Sequence, residues 1–118
     1  MEINIVTEGE FVVADLTGDF VASTAEQFKA QMTKLIEKNF FHVILDLGKV
    51  TFMDSSGLGA CMAVHKAFRE KEGALVVAKP SEAVAKIFRV TRADQKLVVA
   101  PTRLDAAKLL QGAAGGAK

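Results

Sequence analysis

The sequence predicts an α/β fold: one domain whose mixed β-sheet opens with an N-terminal hairpin, continues with parallel strands and is packed by about four helices. Three observations point there. Short β-rich runs alternate with longer segments of helical periodicity, which calls for a parallel sheet with right-handed crossovers. The first two β-rich runs are joined by only a few polar residues including a glycine, too few for a crossover, so they pair antiparallel. The chain has 118 residues, half of them hydrophobic, which suffices for one core and leaves no room for a second domain.

Residues 3–6 (INIV) and 11–16 (FVVADL) are the hairpin strands, bracketing Thr7-Glu8-Gly9-Glu10. Ser23-Thr24-Ala25-Glu26 has the form of a capping box, with Ser23 as cap and Glu26 reaching back to it. The helix that follows places Ala25, Phe28, Met32, Leu35 and Ile36 on one face and fades near Lys38-Asn39. His42 to Leu47 (HVILDL) reads as a buried strand ending at Gly48. Leu58 to Phe68 is the apolar part of a second helix, with Gly73 as its C-terminal stop. Ala74 to Ala78 is a compact buried strand, and Lys79-Pro80-Ser81-Glu82 opens a third helix carrying Val84, Ile87 and Phe88. Leu97 to Val99 is a short last strand. A fourth helix starts at Thr102 and carries Leu104, Ala107 and Leu110. The domain is expected to occupy residues 1–111, with the Gly/Ala-rich residues 112–118 as a flexible C-terminal tail.

Composition removes several function classes. A formal charge of +1 argues against a nucleic-acid surface, which needs a basic face. No run approaches the 18 apolar residues of a membrane span. Cys61, the one cysteine, cannot form an internal disulfide, and the N-terminus lacks the basic and apolar regions of a signal peptide, so a cytoplasmic location is expected.

The information is concentrated in Val50-Thr51-Phe52-Met53-Asp54-Ser55-Ser56-Gly57-Leu58-Gly59, where three small polar residues and a glycine stand at a helix start. One of Asp54, Ser55 and Ser56 is the N-cap, and Gly57 and Gly59 allow close packing on the sheet. The same exposed amides and helix dipole tolerate added negative charge. A phosphate on a serine here adds roughly −1.5 to −2 charges beside Asp54. Leu58 and Met62, one turn apart, with Met53, provide either an apolar contact surface for a partner or simply core.

The aliphatic strand Val43-Ile44-Leu45 and the run from Val50 to Gly59 resemble the signature of the STAS domain family, especially bacterial anti-sigma factor antagonists. Leu16-Thr17-Gly18-Asp19 followed by Thr24-Ala25 is similar to the family's entry into its first helix. Asp46-Leu47 closes the strand before the motif, and Pro80 with Val84 and Phe88 resembles the third-helix segment, so the likeness covers nearly the whole chain. The sequence departs from the family at Val21, where an acid is common, and along Thr91 to Val99.

The resemblance implies a protein-binding switch and no enzyme. Ser55, the serine directly after Asp54, is then phosphorylated by an anti-sigma factor that is also a serine kinase. Unphosphorylated, the protein holds the anti-sigma factor and frees a sigma factor; phosphorylated, it lets go until a serine phosphatase resets it. Asp54, Ser55, Ser56, Gly57, Leu58 and Met62 form the expected partner-binding surface. No cofactor belongs to the chain, because the ATP belongs to the kinase. The alternative is a STAS docking module of a lipid-transport or stressosome-like complex, without phosphorylation.

Rival chemistries fit poorly. His65 lies ten residues beyond Ser55, about 15 Å along one helix, and His42 sits at the far end of the preceding strand, so neither serves as a general base. No glycine stands two residues before either serine, as a nucleophile elbow requires. Cys61 and His65 share a helix face at i, i+4, but His42 is the only other soft ligand, so no metal site is expected. Gly57-Leu58-Gly59 matches neither phosphate-binding glycine motif.

Overall fold

Gly9 takes the positive φ of 63° that a tight hairpin turn needs, and around it the first two strands pair antiparallel. The computed structural model describes the backbone of residues 1–116 and the side chains of residues 1–111. Its elements are β1 (Glu2–Glu8), β2 (Phe11–Phe20), α1 (Ala22–Glu37), β3 (His42–Met53), α2 (Ser55–Glu70), β4 (Ala74–Ala78), α3 (Glu82–Thr91), a short 3₁₀ turn (Ala93–Gln95), β5 (Val98–Ala100) and α4 (Arg103–Gly116). The five strands lie in the order β1-β2-β3-β4-β5, antiparallel between β1 and β2 and parallel thereafter.

Each parallel crossover moves one strand in the same direction, so right-handed connections send α1, α2 and α3 to one face of the sheet. Strand alternation follows this division. Val12, Ala14, Leu16, Val43, Leu45, Leu47, Leu75 and Val77 pack with Phe28, Met32, Cys61, Phe68 and Phe88 of the three helices. Val13, Ile44, Val76 and Ala100 point the other way, against Ala106 and Leu110 of α4. Helix α4 is also pinned by charge: Arg103 Nε donates to Asp46 Oδ2 at 2.6 Å and its Nη2 to Asp15 Oδ2 at 3.0 Å.

The predicted elements occur in the predicted order, but several boundaries differ. Strand β3 does not end at Gly48; it runs on to Met53, paired with an equally extended β2 up to Phe20↔Met53. Gly48 lies at the first of two register shifts, where its N–H donates to Asp46 Oδ1 at 2.9 Å. A bulge, not a stop, is what the glycine marks. The cap of α1 is Val21 rather than Ser23: Val21 N–H donates to Thr24 Oγ1 at 2.9 Å, so Ser23 and Glu26 play no part in it. Gly73 does not supply the left-handed residue ending α2. Glu72 does, at φ 59°, and Gly73 N–H completes the C-terminal motif on Phe68 O at 2.8 Å. Gly73 is small for another reason, because a Cβ there would overlap the Phe41 carbonyl.

The backbone of α4 extends to Gly116, into the segment expected as a tail; residues 117 and 118, and the side chains beyond Gln111, lie outside the described residues. Among the described residues no helix is long and apolar enough to cross a membrane.

Candidate functional site

Because β2 and β3 stay paired to Phe20 and Met53, the turn into α2 is built directly on the sheet. Asp54 N–H donates to Phe20 O at 3.3 Å, the last tie between the two strands before the chain turns. Asp54 is the N-cap: it keeps an extended backbone, and its Oδ1 accepts from Gly57 N–H at 3.0 Å. That resolves the choice among the three polar residues. With Asp54 outside the helix, Ser55 and Ser56 become its first two residues, and both are exposed. Among the described residues neither hydroxyl is engaged in a hydrogen bond.

Gly57 is buried, and a Cβ there would overlap the Phe20 carbonyl. Only glycine lets α2 approach β2 this closely, which fixes the height at which Ser55 is presented. Gly59, by contrast, faces open space.

The apolar surroundings divide. Met53 is fully buried, so of the two alternatives open to it, contact surface or core, it takes the core. Leu58 and Met62 are half-buried, each packed against the core while keeping some surface open. They follow Ser55 at i+3 and i+7 and continue its stripe along α2. Phe52, three residues before Ser55, is 52% exposed and was missed by the sequence reading, which ended the strand at Leu47. Continuing strand alternation back from the buried Met53 would have found it. Beside it, Thr51 Oγ1 donates to Asp19 Oδ1 at 2.9 Å, bracing the ends of β2 and β3.

The electrostatics favour an anion at this turn. No acid occupies the first helical turn of α2, and the amides of Ser55 and Ser56 sit at the positive end of the helix dipole. Asp54 already uses part of that potential, so a phosphate on Ser55 meets both the favourable dipole and a neighbouring carboxylate.

The histidines and the cysteine do not join the serines. His65 is buried on the far half of α2, and burial, then the Arg69 charge, push its pKa below the ordinary value, while the Leu75 backbone acts in the opposite direction. His42 begins β3, a twelve-residue strand on the order of 35 Å long, so it is farther from Ser55 than a strand ending at Leu47 implies. Burial raises the Cys61 thiol to about 12, which keeps it protonated and a poor metal ligand. Among the described residues no three His, Cys, Asp or Glu side chains gather as a metal site.

Comparison with known proteins agrees with this architecture. The STAS domain family matches residues 2–106. A candidate anti-sigma factor antagonist of Bordetella bronchiseptica, BtrV, is 30% identical over 80 residues, covering 68% of this chain and 69% of that protein. Among solved structures, a candidate anti-sigma factor antagonist of Thermotoga maritima superposes with a TM-score of 0.86 at 19% identity, covering 92% of this chain and 94% of the other. The Bacillus cell fate determinant SpoIIAA in its phosphorylated form gives a TM-score of 0.71 at 21% identity, covering 92% and 99%. At these identities the two structures show the shared fold.

Proposed function

The chain belongs to the STAS domain family, and on that premise we propose that it is an anti-sigma factor antagonist, a binding protein switched by phosphorylation of Ser55. The observation that carries the reading is the Asp54 cap. By accepting from Gly57 N–H it leaves Ser55 as the first, exposed residue of α2, with an unengaged hydroxyl. The names of BtrV and of the Thermotoga protein, and the existence of SpoIIAA in a phosphorylated form, support the assignment.

In the unphosphorylated state the surface around Asp54, Ser55, Ser56 and Gly57, continued by Leu58 and Met62, docks on an anti-sigma factor that is also a serine kinase. The sigma factor held by that partner is released. The bound kinase then passes the γ-phosphoryl of its ATP to Ser55 Oγ; the P–O bond to ADP breaks, a new one forms to Oγ, and the hydroxyl proton leaves. The product places about two negative charges in the middle of the contact surface. Desolvating them against the partner costs more than the half-buried apolar stripe returns, so the complex dissociates. The helix dipole accommodates the phosphate in the free protein, so the switch acts on binding without unfolding α2. A serine phosphatase hydrolyses the phosphoester and restores the first state. All of these partners and the ATP are cytoplasmic, and so is the switch.

Intact-mass and peptide mass spectrometry after incubation with ATP and the cognate kinase tests the proposal. A single phosphate on Ser55, absent from Ser55→Ala, is the expected result. No phosphate with any candidate kinase of the source genome contradicts the switch and favours the docking-module alternative, to which Val21, standing where the family commonly has an acid, lends weight.

A further inference from the structure

Beyond the serine turn, α2 carries a second, chemically different stripe. Met62, Lys66 and Arg69 follow one another at helical spacing, and with Ala63, His65 and Glu70 they form one wall of an open cavity of about 600 Å³. Lys96, at the end of the 3₁₀ turn before β5, is among the described residues the one lining residue from outside α2. That volume lies within the range of roughly 300–1,000 Å³ typical of small-molecule sites, and the walls are mostly carbon.

The charges of this cavity are unbalanced. Lys66, Arg69 and Lys96 face one acid, Glu70, in a chain whose formal charge is only +1. Among the described residues none of the three cations is ion-paired, whereas Arg103 and Lys49 on the opposite face of the sheet both find Asp15. His65 is the buried member of the lining, and its Nδ1 has no hydrogen-bond partner among the described residues.

We propose that this cavity is a binding site for a small organic anion, an apolar body carrying a carboxylate or phosphate head, with Lys66, Arg69 and Lys96 holding the head and Met62 and Ala63 the body. The carbon walls and the volume exceed what a bare inorganic anion can use. The charge separates an anion from a neutral apolar ligand. Three cations opposed by an acid do not make the extended basic stripe of a polyanion surface. The cavity shares Met62 with the docking stripe, but its cations begin at Lys66, eleven residues beyond Ser55 and about 16 Å along the helix, so binding of the anion head does not require phosphorylation of Ser55.

The test is a titration of the ¹⁵N-labelled protein, followed by amide shifts, with decyl phosphate and decanoate below their micellar concentrations and with inorganic phosphate and decanol as controls. Saturable shifts confined to residues 62–70 and Lys96, at least about tenfold tighter for either organic anion than for both controls, are expected. Whichever anion binds tighter identifies the head. Arg69→Gln with Lys96→Gln should weaken binding about tenfold while leaving the rest of the amide spectrum unchanged, since both side chains are exposed. Absence of saturation, equal binding of decanol, or affinity unaffected by the double substitution overturns the proposal. Loss of Ser55 phosphorylation with the site intact, or the reverse, separates this inference from the switch.

Discussion

Asp54 joins two structures at one residue. Its N–H ends the pairing of β2 with β3, and its carboxylate starts α2 by accepting from Gly57 N–H at 3.0 Å. Such caps are worth about 1 kcal/mol. Asp54→Ala should therefore lower the unfolding free energy by about that amount in urea titrations, while Asp54→Asn, which keeps the accepting oxygen, should change it by only a few tenths. From the sequence, Asp54, Ser55 and Ser56 were equivalent as caps, because all three side chains can accept from a first-turn amide. The choice falls to Asp54 because the chain leaves the sheet at Met53, a boundary set by tertiary pairing. Val21 illustrates the same limit at α1, where Thr24, not Ser23, supplies the capping oxygen.

At the scale of elements, the contact between α2 and the end of β2 controls how the serine is presented. Gly57→Ala drives a methyl into the Phe20 carbonyl, and backbone cannot move aside as a flexible side chain would. The variant should lose about 2 kcal/mol of stability by thermal or chemical denaturation, with amide shifts concentrated at Phe20 and in the first turn of α2. Gly59→Ala, one turn face away with open space around it, serves as the control and should be neutral or slightly stabilising. The order of strands and helices was legible because apolar periodicity switches cleanly between two and 3.6 along this chain. Strand lengths were not. Gly48 and Gly18 interrupt the apolar pattern of β3 and β2 just where register shifts occur, and a bulge and a strand end have the same local signature. That misreading hid Phe52 and left Met53 open between contact surface and core, whereas the continued strand buries Met53 and exposes its neighbour. Gly73, expected as the stop of α2, does close its C-terminal motif through its N–H on Phe68 O, but the left-handed residue is Glu72, and what demands a glycine at 73 is clearance for Phe41.

In the whole molecule, the sheet separates two jobs. One face carries three helices and the main core; the other is closed by α4, which the pair of bonds from Arg103 to Asp46 and Asp15 ties across 57 and 88 residues of sequence. The serine turn sits where β2, β3 and α2 meet, on a frame that does not need to move for charge to be added. A phosphate on Ser55 takes the formal charge from +1 to about −0.5 to −1, a small change for the molecule and a large one for a single turn of helix. The proposed switch is therefore local, and its action should appear in binding. The most direct measurement is calorimetry of the anti-sigma factor kinase with two preparations of this protein, unphosphorylated and homogeneously phosphorylated on Ser55. Affinity about 100-fold or more weaker for the phosphorylated form, with unchanged far-ultraviolet circular dichroism, is the predicted result. Equal affinities for the two forms contradict it.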